Sequence, residues 1–184
     1  MDGINAFEIT ILDFIRKTFE SPFLDGAMRF ISFLGSDGLI FIALCVALLC
    51  FKKTRVCGAV LGTALIFDAL AVNVILKPIC ARVRPYDINT AIELIVRAPK
   101  DFSFPSGHAA VAFAAAAALG TVGKKTHIAA LVFATLMGLS RMYLYVHYPT
   151  DVLGGAIIGT LCGFLAVLLW KKITSTKIDK NIMR

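Results

Sequence analysis

The chain has 184 residues, of which 58% are hydrophobic and only 17% charged, and its mean hydropathy is +0.81. That is too apolar for an ordinary soluble domain and too short for more than one, so the expected fold is all-α: a polytopic bundle of membrane helices, with residues 1–184 in a single domain. The formal net charge of +7 suits anionic partners such as membrane lipid headgroups. By itself it does not separate substrate binding from membrane orientation, and no nucleic-acid partner is expected.

Residues 4–20 alternate Phe7, Ile11, Leu12, Phe14, Ile15 and Phe19 with Glu8, Asp13, Arg16, Lys17 and Glu20. Apolar side chains recur at helical spacing, so this is an amphipathic helix, too charged to span and expected flat on the membrane surface until Ser21-Pro22 ends it. The first span, 28–51, is the least regular, because Gly38 to Phe51 is short of the roughly 20 residues a bilayer requires. The second, 56–76, is interrupted by Asp68 and Asn73. An acid at mid-membrane marks a paired or functional site, and for Asp68 a structural hydrogen bond between helices is expected. Asn73 lies one helical turn before Lys77, where it can support a site near the headgroups. Residues 77–104 are polar and proline-bearing and read as a loop with one short helix around 90–96. Three further spans follow at 105–122, 128–146 and 152–170, then a polar tail from Lys171. Gly155, Gly159 and Gly163 are spaced to let another helix of this chain approach closely.

Five cysteines (Cys45, Cys50, Cys57, Cys80, Cys162) show no C-x-x-C pairing and read as small buried hydrophobes rather than a disulfide or metal framework. No cleavable signal peptide is expected, since acids and no cationic segment precede the first apolar run. The loops at 52–55 and 124–125 and the tail hold ten Lys/Arg (three, two and five in turn). The positive-inside rule places them in the cytoplasm and the 77–104 loop on the extracytoplasmic face of the cell membrane.

That outer face collects three motifs. They are Lys77 with Arg84-Pro85, then Pro105-Ser106-Gly107-His108, then Ser140-Arg141 with His147 and Asp151. Pro149 disfavours helix in the residue before it, so the helix carrying Arg141 should end near Tyr148 and the next begin at Thr150 or Asp151. His147 and Asp151 then face each other across a tight break. A carboxylate fixes the tautomer of an imidazole and makes it a good base or nucleophile, and an Arg fork nearby suits phosphate. The same residues alone could be an interfacial cluster of amphipathic side chains. His127 is assigned no role, and Arg82 could join the phosphate cluster or snorkel to headgroups.

The three stretches together resemble the type 2 phosphatidic acid phosphatase (lipid phosphate phosphatase) family, whose eleven fixed signature positions all occur here in order. The resemblance covers about 54–170 and implies a metal-independent, cofactor-free membrane phosphatase. It implies that His147 attacks phosphorus, Asp151 holds that ring, and His108 protonates the leaving oxygen. Lys77, Arg84 and Arg141, with Ser106 and Gly107 at a helix start, would bind the phosphate, which matches the positive surround that phosphoryl transfer requires. A lipid phosphate or pyrophosphate is the implied substrate. Undecaprenyl pyrophosphate is the first choice, and phosphatidylglycerophosphate or phosphatidate the alternative. Vanadium haloperoxidases share the signature but are much larger soluble proteins. A non-enzymatic lipid-binding or scrambling protein is the reading from a different class, and it would have eroded a catalytic group. Oligomeric state is not legible.

Overall fold

The computed structural model describes residues 3–182, which form helices and connecting turns with no strand among them. Asp2, used above against a signal peptide, and the last two residues of the tail lie outside that range. The helices are α1 (Gly3–Phe19), α2 (Pro22–Leu34), α3 (Leu39–Cys50), α4 (Arg55–Ala69), α5 (Lys77–Cys80), α6 (Pro85–Ile88), α7 (Gly107–Leu119), α8 (Lys124–Tyr143) and α9 (Pro149–Ile182).

At the centre is α7, a helix made largely of alanine. Ala109, Ala110, Ala112, Ala114, Ala115, Ala116 and Ala118 are all buried. Alanine is the best helix former and gives a thin cylinder that neighbours can approach closely. The glycines of α9 exploit this. A Cβ at Gly155 would lie 2.5 Å from Ser106 O, one at Gly159 2.0 Å from Ala110 O, and one at Gly163 2.6 Å from Ala114 O. The glycine stripe expected to admit another helix of this chain therefore admits α7. At one end of this contact Ser106 N donates to Asp151 O at 3.0 Å, joining the starts of α7 and α9. Elsewhere Trp170 Nε1 donates to Thr63 Oγ1 at 2.9 Å, linking α9 to α4. His127 Nδ1 lies 2.8 Å from Ala116 O and pins α8 to the end of α7.

A wider π-helical turn at Leu70–Leu76 carries α4 into α5. That chain run ends at Ala81, whose φ of +43° turns the backbone out. Two local expectations are corrected here. The short helix in the 77–104 loop is Pro85–Ile88, started by proline at its first position, while 90–96 holds only turns and bends. The stretch 28–51 is two helices: α2 is capped by Ser21, whose Oγ accepts from Leu24 N, and α2 and α3 meet at a 49° bend. Gly38, at φ +68°, supplies the left-handed residue this bend requires.

Helix α1 forms as expected, but its polar residues do not all face away from the protein. Glu8 is buried, Ile9 and Leu12 pack on Tyr145 and Tyr148, and Phe7 and Phe14 are exposed. The cysteines also divide: Cys45 and Cys162 are buried, whereas Cys50 and Cys80 are exposed on the apolar helical surface. By length and composition, Arg55–Ile88 and Pro149–Ser175 can each cross a membrane, and α2 with α3 makes a third crossing if the bent pair is one span. At 13 residues, α7 extends only about 20 Å, short of the roughly 30 Å hydrocarbon core.

The α7–α9 contact sets the first prediction. Gly159→Ala should lower the melting temperature in detergent by about 2–10 °C, corresponding to about 1–3 kcal/mol of overpacking. Gly26→Ala, where an added Cβ meets nothing within 4 Å, should raise it slightly by reducing unfolded-state entropy. A Gly159→Ala variant as stable as the parent would mean that the helices are free to separate.

Candidate active site

Helix α8 stops at Tyr143 rather than near Tyr148, five residues before the position at which Pro149 restricts its neighbour. Tyr145 adopts a left-handed φ of +61°, a strained value for a bulky side chain. The surroundings hold it there: its hydroxyl donates to Asp13 Oδ1 at 2.7 Å and accepts from Asn89 Nδ2 at 2.9 Å. Val146 N reaches back to Arg141 O at 3.2 Å, and Pro149 then opens α9. Leu144 to Tyr148 are all buried. The break between α8 and α9 is thus a fixed turn that presents His147 to the interior.

His147 Nδ1 lies 3.5 Å from Asp151 Oδ2, at the outer limit of a hydrogen bond, with no nearer partner among the described residues. The carboxylate itself is fully buried and saturated. Oδ2 accepts from Ser103 Oγ and from Tyr148 N at 2.9 Å, and Oδ1 accepts from Arg82 Nη1 at 2.6 Å. On the other side of the ring, His147 Nε2 is 3.3 Å from Arg84 Nη1. Burial pushes the His147 pKa down to about 4; the Asp151 hydrogen bond opposes this, and the nearby Arg84 and Arg141 add to it. The ring is therefore neutral at pH 7, the form that can act as nucleophile or base.

The cations come from separate elements. Arg84 is clamped by its own fork: Nε donates to Asp101 O at 2.8 Å, Nη2 to Asp101 Oδ1 at 2.7 Å and Nη1 to Val146 O at 2.6 Å. Lys77 Nζ donates to Asp101 Oδ2. Burial would raise the Asp101 pKa, but the hydrogen bonds and charges of Lys77 and Arg84 outweigh it and hold it at about 2. Arg141 Nη1 donates to Ser32 Oγ on α2, leaving Nε buried without a partner among the described residues. Ser106 caps α7, with Gly107 and His108 in its first turn. His108 Nε2 is buried and has no partner among the described residues.

These groups share a cavity of about 710 Å³, lined by Lys77, Arg84, Gly107, His108, Arg141 and His147 and floored by Asn73 and Asp68. A second cavity of about 490 Å³, lined by Arg29 and Arg97, shares Lys100, His108 and Arg141 with the first. All the cations and both histidines expected at the site therefore lie together, with Ser106 capping the helix and Asp151 behind His147. Asn73 lines the cavity, in keeping with a supporting place there. Asp68 departs from expectation: among the described residues its Oδ1, buried where α4 borders the cavity, has no partner on another helix. Arg82 neither joins the cations nor reaches outward; it bonds the back of Asp151. Sequence reasoning missed Ser103, Asp101 and Glu8, because a serine, a loop acid and one acid of an amphipathic helix carry no motif.

Chemically, the arrangement can hold a tetrahedral oxyanion between fixed cations and a helix start, with a neutral, carboxylate-backed imidazole beside it. The comparisons agree with that chemistry. A sequence model described as the PAP2 superfamily matches residues 52–175. An undecaprenyl-diphosphatase of Sulfolobus acidocaldarius is 34% identical over 160 residues, covering 86% of this chain and 77% of the relative. Two solved structures are similar. One is Aquifex aeolicus LpxE, with a TM-score of 0.76 and 29% identity, covering 86% of this chain and 93% of that one. The other is a transmembrane PAP2-type phosphatidylglycerolphosphate phosphatase from Bacillus subtilis, with a TM-score of 0.78 and 29% identity, covering 94% and 89%.

Asp101 gives the second prediction. Its half-exposed carboxylate neutralises the two cations that any incoming phosphate has to share. Asp101→Asn should tighten inhibition by inorganic phosphate or vanadate about fivefold, the equivalent of about 1 kcal/mol of competition. Weaker inhibition in that variant would make Asp101 a scaffold for Lys77 and Arg84 rather than their competitor.

Proposed function

The chain belongs to the PAP2 superfamily, and from that premise we propose that it is a membrane lipid phosphatase working through a phosphohistidine at His147, with undecaprenyl pyrophosphate as its substrate. The observation that carries the mechanism is the neutral His147 ring between Asp151 and Arg84, facing a cavity that also holds Lys77, Arg141 and His108. In this reading His147 Nε2 attacks phosphorus and its bond to the leaving oxygen breaks. Lys77, Arg84, Arg141 and the Gly107 N–H at the start of α7, which Ser106 caps, bind the phosphoryl oxygens. Asp151 stabilises the imidazolium character that develops on His147. His108 gives the leaving oxygen its proton, then takes one from the water that cleaves the phosphohistidine, so that the histidines end as they began.

Two observations favour a diphosphate. Relatives of this chain are named for that activity. The second cavity, with Arg29, Arg97 and Lys100, meets the first at His108, where a leaving phosphate would sit. The likeness to the Bacillus subtilis phosphatidylglycerolphosphate phosphatase supports the second reading, a phospholipid monophosphate. The cation distribution supports five spans, with α1 on the membrane surface and the site on the extracytoplasmic face. An impermeant thiol reagent on intact cells should therefore label a cysteine introduced into 86–104 of a Cys-free variant and not one at 124–125. The reverse pattern would put the site in the cytoplasm.

One kinetic experiment tests the roles and the substrate together, by comparing kcat/KM on a polyprenyl diphosphate and on its monophosphate. His147→Ala should be inactive on both. His108→Ala should lose about 10²–10⁴ on the monophosphate, whose alkoxide leaving group needs a proton. It should lose far less on the diphosphate, whose leaving phosphate is a weak base. Arg29→Gln with Arg97→Gln should do the reverse, losing about tenfold on the diphosphate and little on the monophosphate. Turnover by His147→Ala would refute the phosphohistidine, and equal losses on both substrates in the Arg29/Arg97 variant would refute the diphosphate subsite.

A further inference from the structure

Arg82 lies between the two signature positions Lys77 and Arg84 and touches neither the cavity nor the phosphate cations. All of its bonds lead elsewhere. Nη1 donates to Asp151 Oδ1 at 2.6 Å and to Thr150 Oγ1 at 2.7 Å, and Nη2 donates to Glu8 Oε2 at 2.5 Å and to Asn5 Oδ1 at 2.7 Å. The guanidinium lies over the Tyr148 ring, 4.0 Å from its centroid. Glu8, only 3% exposed, uses its second oxygen on α9, accepting from Thr150 N at 2.8 Å and Thr150 Oγ1 at 2.7 Å. A carboxylate of α1 is thus tied to the first turn of α9 both directly and through Arg82.

From this geometry we infer that Glu8 and Arg82 are positioning residues for the reaction: α1 completes the active site by fixing, through Arg82, the carboxylate that orients His147. The physical reason lies in how Asp151 is held. Ser103 and Tyr148 N bond Oδ2, the oxygen that faces the imidazole. Nothing but Arg82 bonds Oδ1 among the described residues. Without that contact the carboxylate can swing about its Cβ–Cγ bond, and a buried oxygen is left unsatisfied. Arg82 in turn needs Glu8, because a guanidinium so little exposed requires a partner for its other nitrogen. An acid at one end of the chain therefore acts on the histidine near the other, through two charge-assisted pairs.

The inference rests on His147 being the nucleophile, so the experiment includes His147→Ala as a control that tests that reading alone. Glu8→Gln, Arg82→Gln and the double variant are purified in detergent and compared for kcat, KM and the titration of the His147 ring by ¹⁵N NMR. The groups that face this ring are Asp151, Arg84, Arg141 and His108, and none of them is altered. Arg82→Gln and Glu8→Gln should each lower kcat about tenfold with KM unchanged within about twofold, since neither residue touches substrate. The double variant should lose no more than Arg82→Gln alone, because Glu8 acts through Arg82. Removing the Arg82 cation should move the His147 midpoint up in pH, removing the Glu8 charge should move it down, and the double variant should fall between. Glu8→Gln is nearly isosteric, so it tests the chain of contacts even if Arg82→Gln does not fold. Additive losses, a change confined to KM, or a His147 midpoint that stays fixed in Glu8→Gln would each overturn the inference.

Discussion

The buried carboxylate of Asp151 is the constraint on which the rest of the site depends. A carboxylate removed from water is costly unless its oxygens are met by donors and a cation. Here four donors come from three parts of the chain: Arg82 after α5, Ser103 before α7, and, in the turn before α9, Tyr148 N with the His147 ring at longer range. Its backbone carbonyl also accepts from Ser106 N at the cap of α7. Satisfying one acid therefore fixes the register of α9 against α7, the approach of the loop after α5, and the direction of the imidazole. Removing any single donor leaves the others holding a displaced charge. The groups that hold this carboxylate are therefore coupled to one another.

On the opposite side of His147 the electrostatics run the other way. Lys77, Arg84 and Arg141 are three cations held at one cavity, with little solvent to separate them. Asp101 answers two of them with a carboxylate that is itself half exposed. A surface acid is well suited to that place, since it can give up its partners at modest cost when another anion arrives, whereas a buried one could not. The two acids of the site thus divide by burial. Asp151, sealed in, serves geometry; Asp101, at the rim, balances charge.

Much of this was legible in the sequence, because the signature positions report chemistry directly. Lys77, Arg84, His108, Arg141, His147 and Asp151 had to converge if they were to act on one phosphate, and they do. The α7–α9 contact was legible for a different reason: three glycines at one-turn spacing have no use except close approach. What was not legible depends on contacts between segments far apart in the chain. The polar face of α1 looked like a face for water, and only the packed structure turns Glu8 inward to Arg82 and Thr150. The early end of α8 was hidden too, since the left-handed Tyr145 is stabilised by Asp13 and Asn89, neither of them near it in sequence. Asp68 shows the same limit, as periodicity could say that it lies in a helix but not that it borders a cavity.

The thinness of α7 links these levels. An ordinary leucine-rich helix would keep its neighbour about 8–10 Å away, axis to axis. Alanine on α7 and glycine on α9 bring the two backbones together until a Cβ at Gly159 would overlap Ala110 O. At that separation the first turns of the two helices meet, and a backbone hydrogen bond can pass directly from Ser106 to Asp151. His108 is carried by one helix and Asp151 by the other, while His147 lies in the turn just ahead of α9. The cavity that His108 and His147 share, with Asp151 behind it, is therefore a consequence of small residues placed some way along the helices. The cavity needs polar and charged side chains at the helix starts; their mutual placement needs the near absence of side chains below.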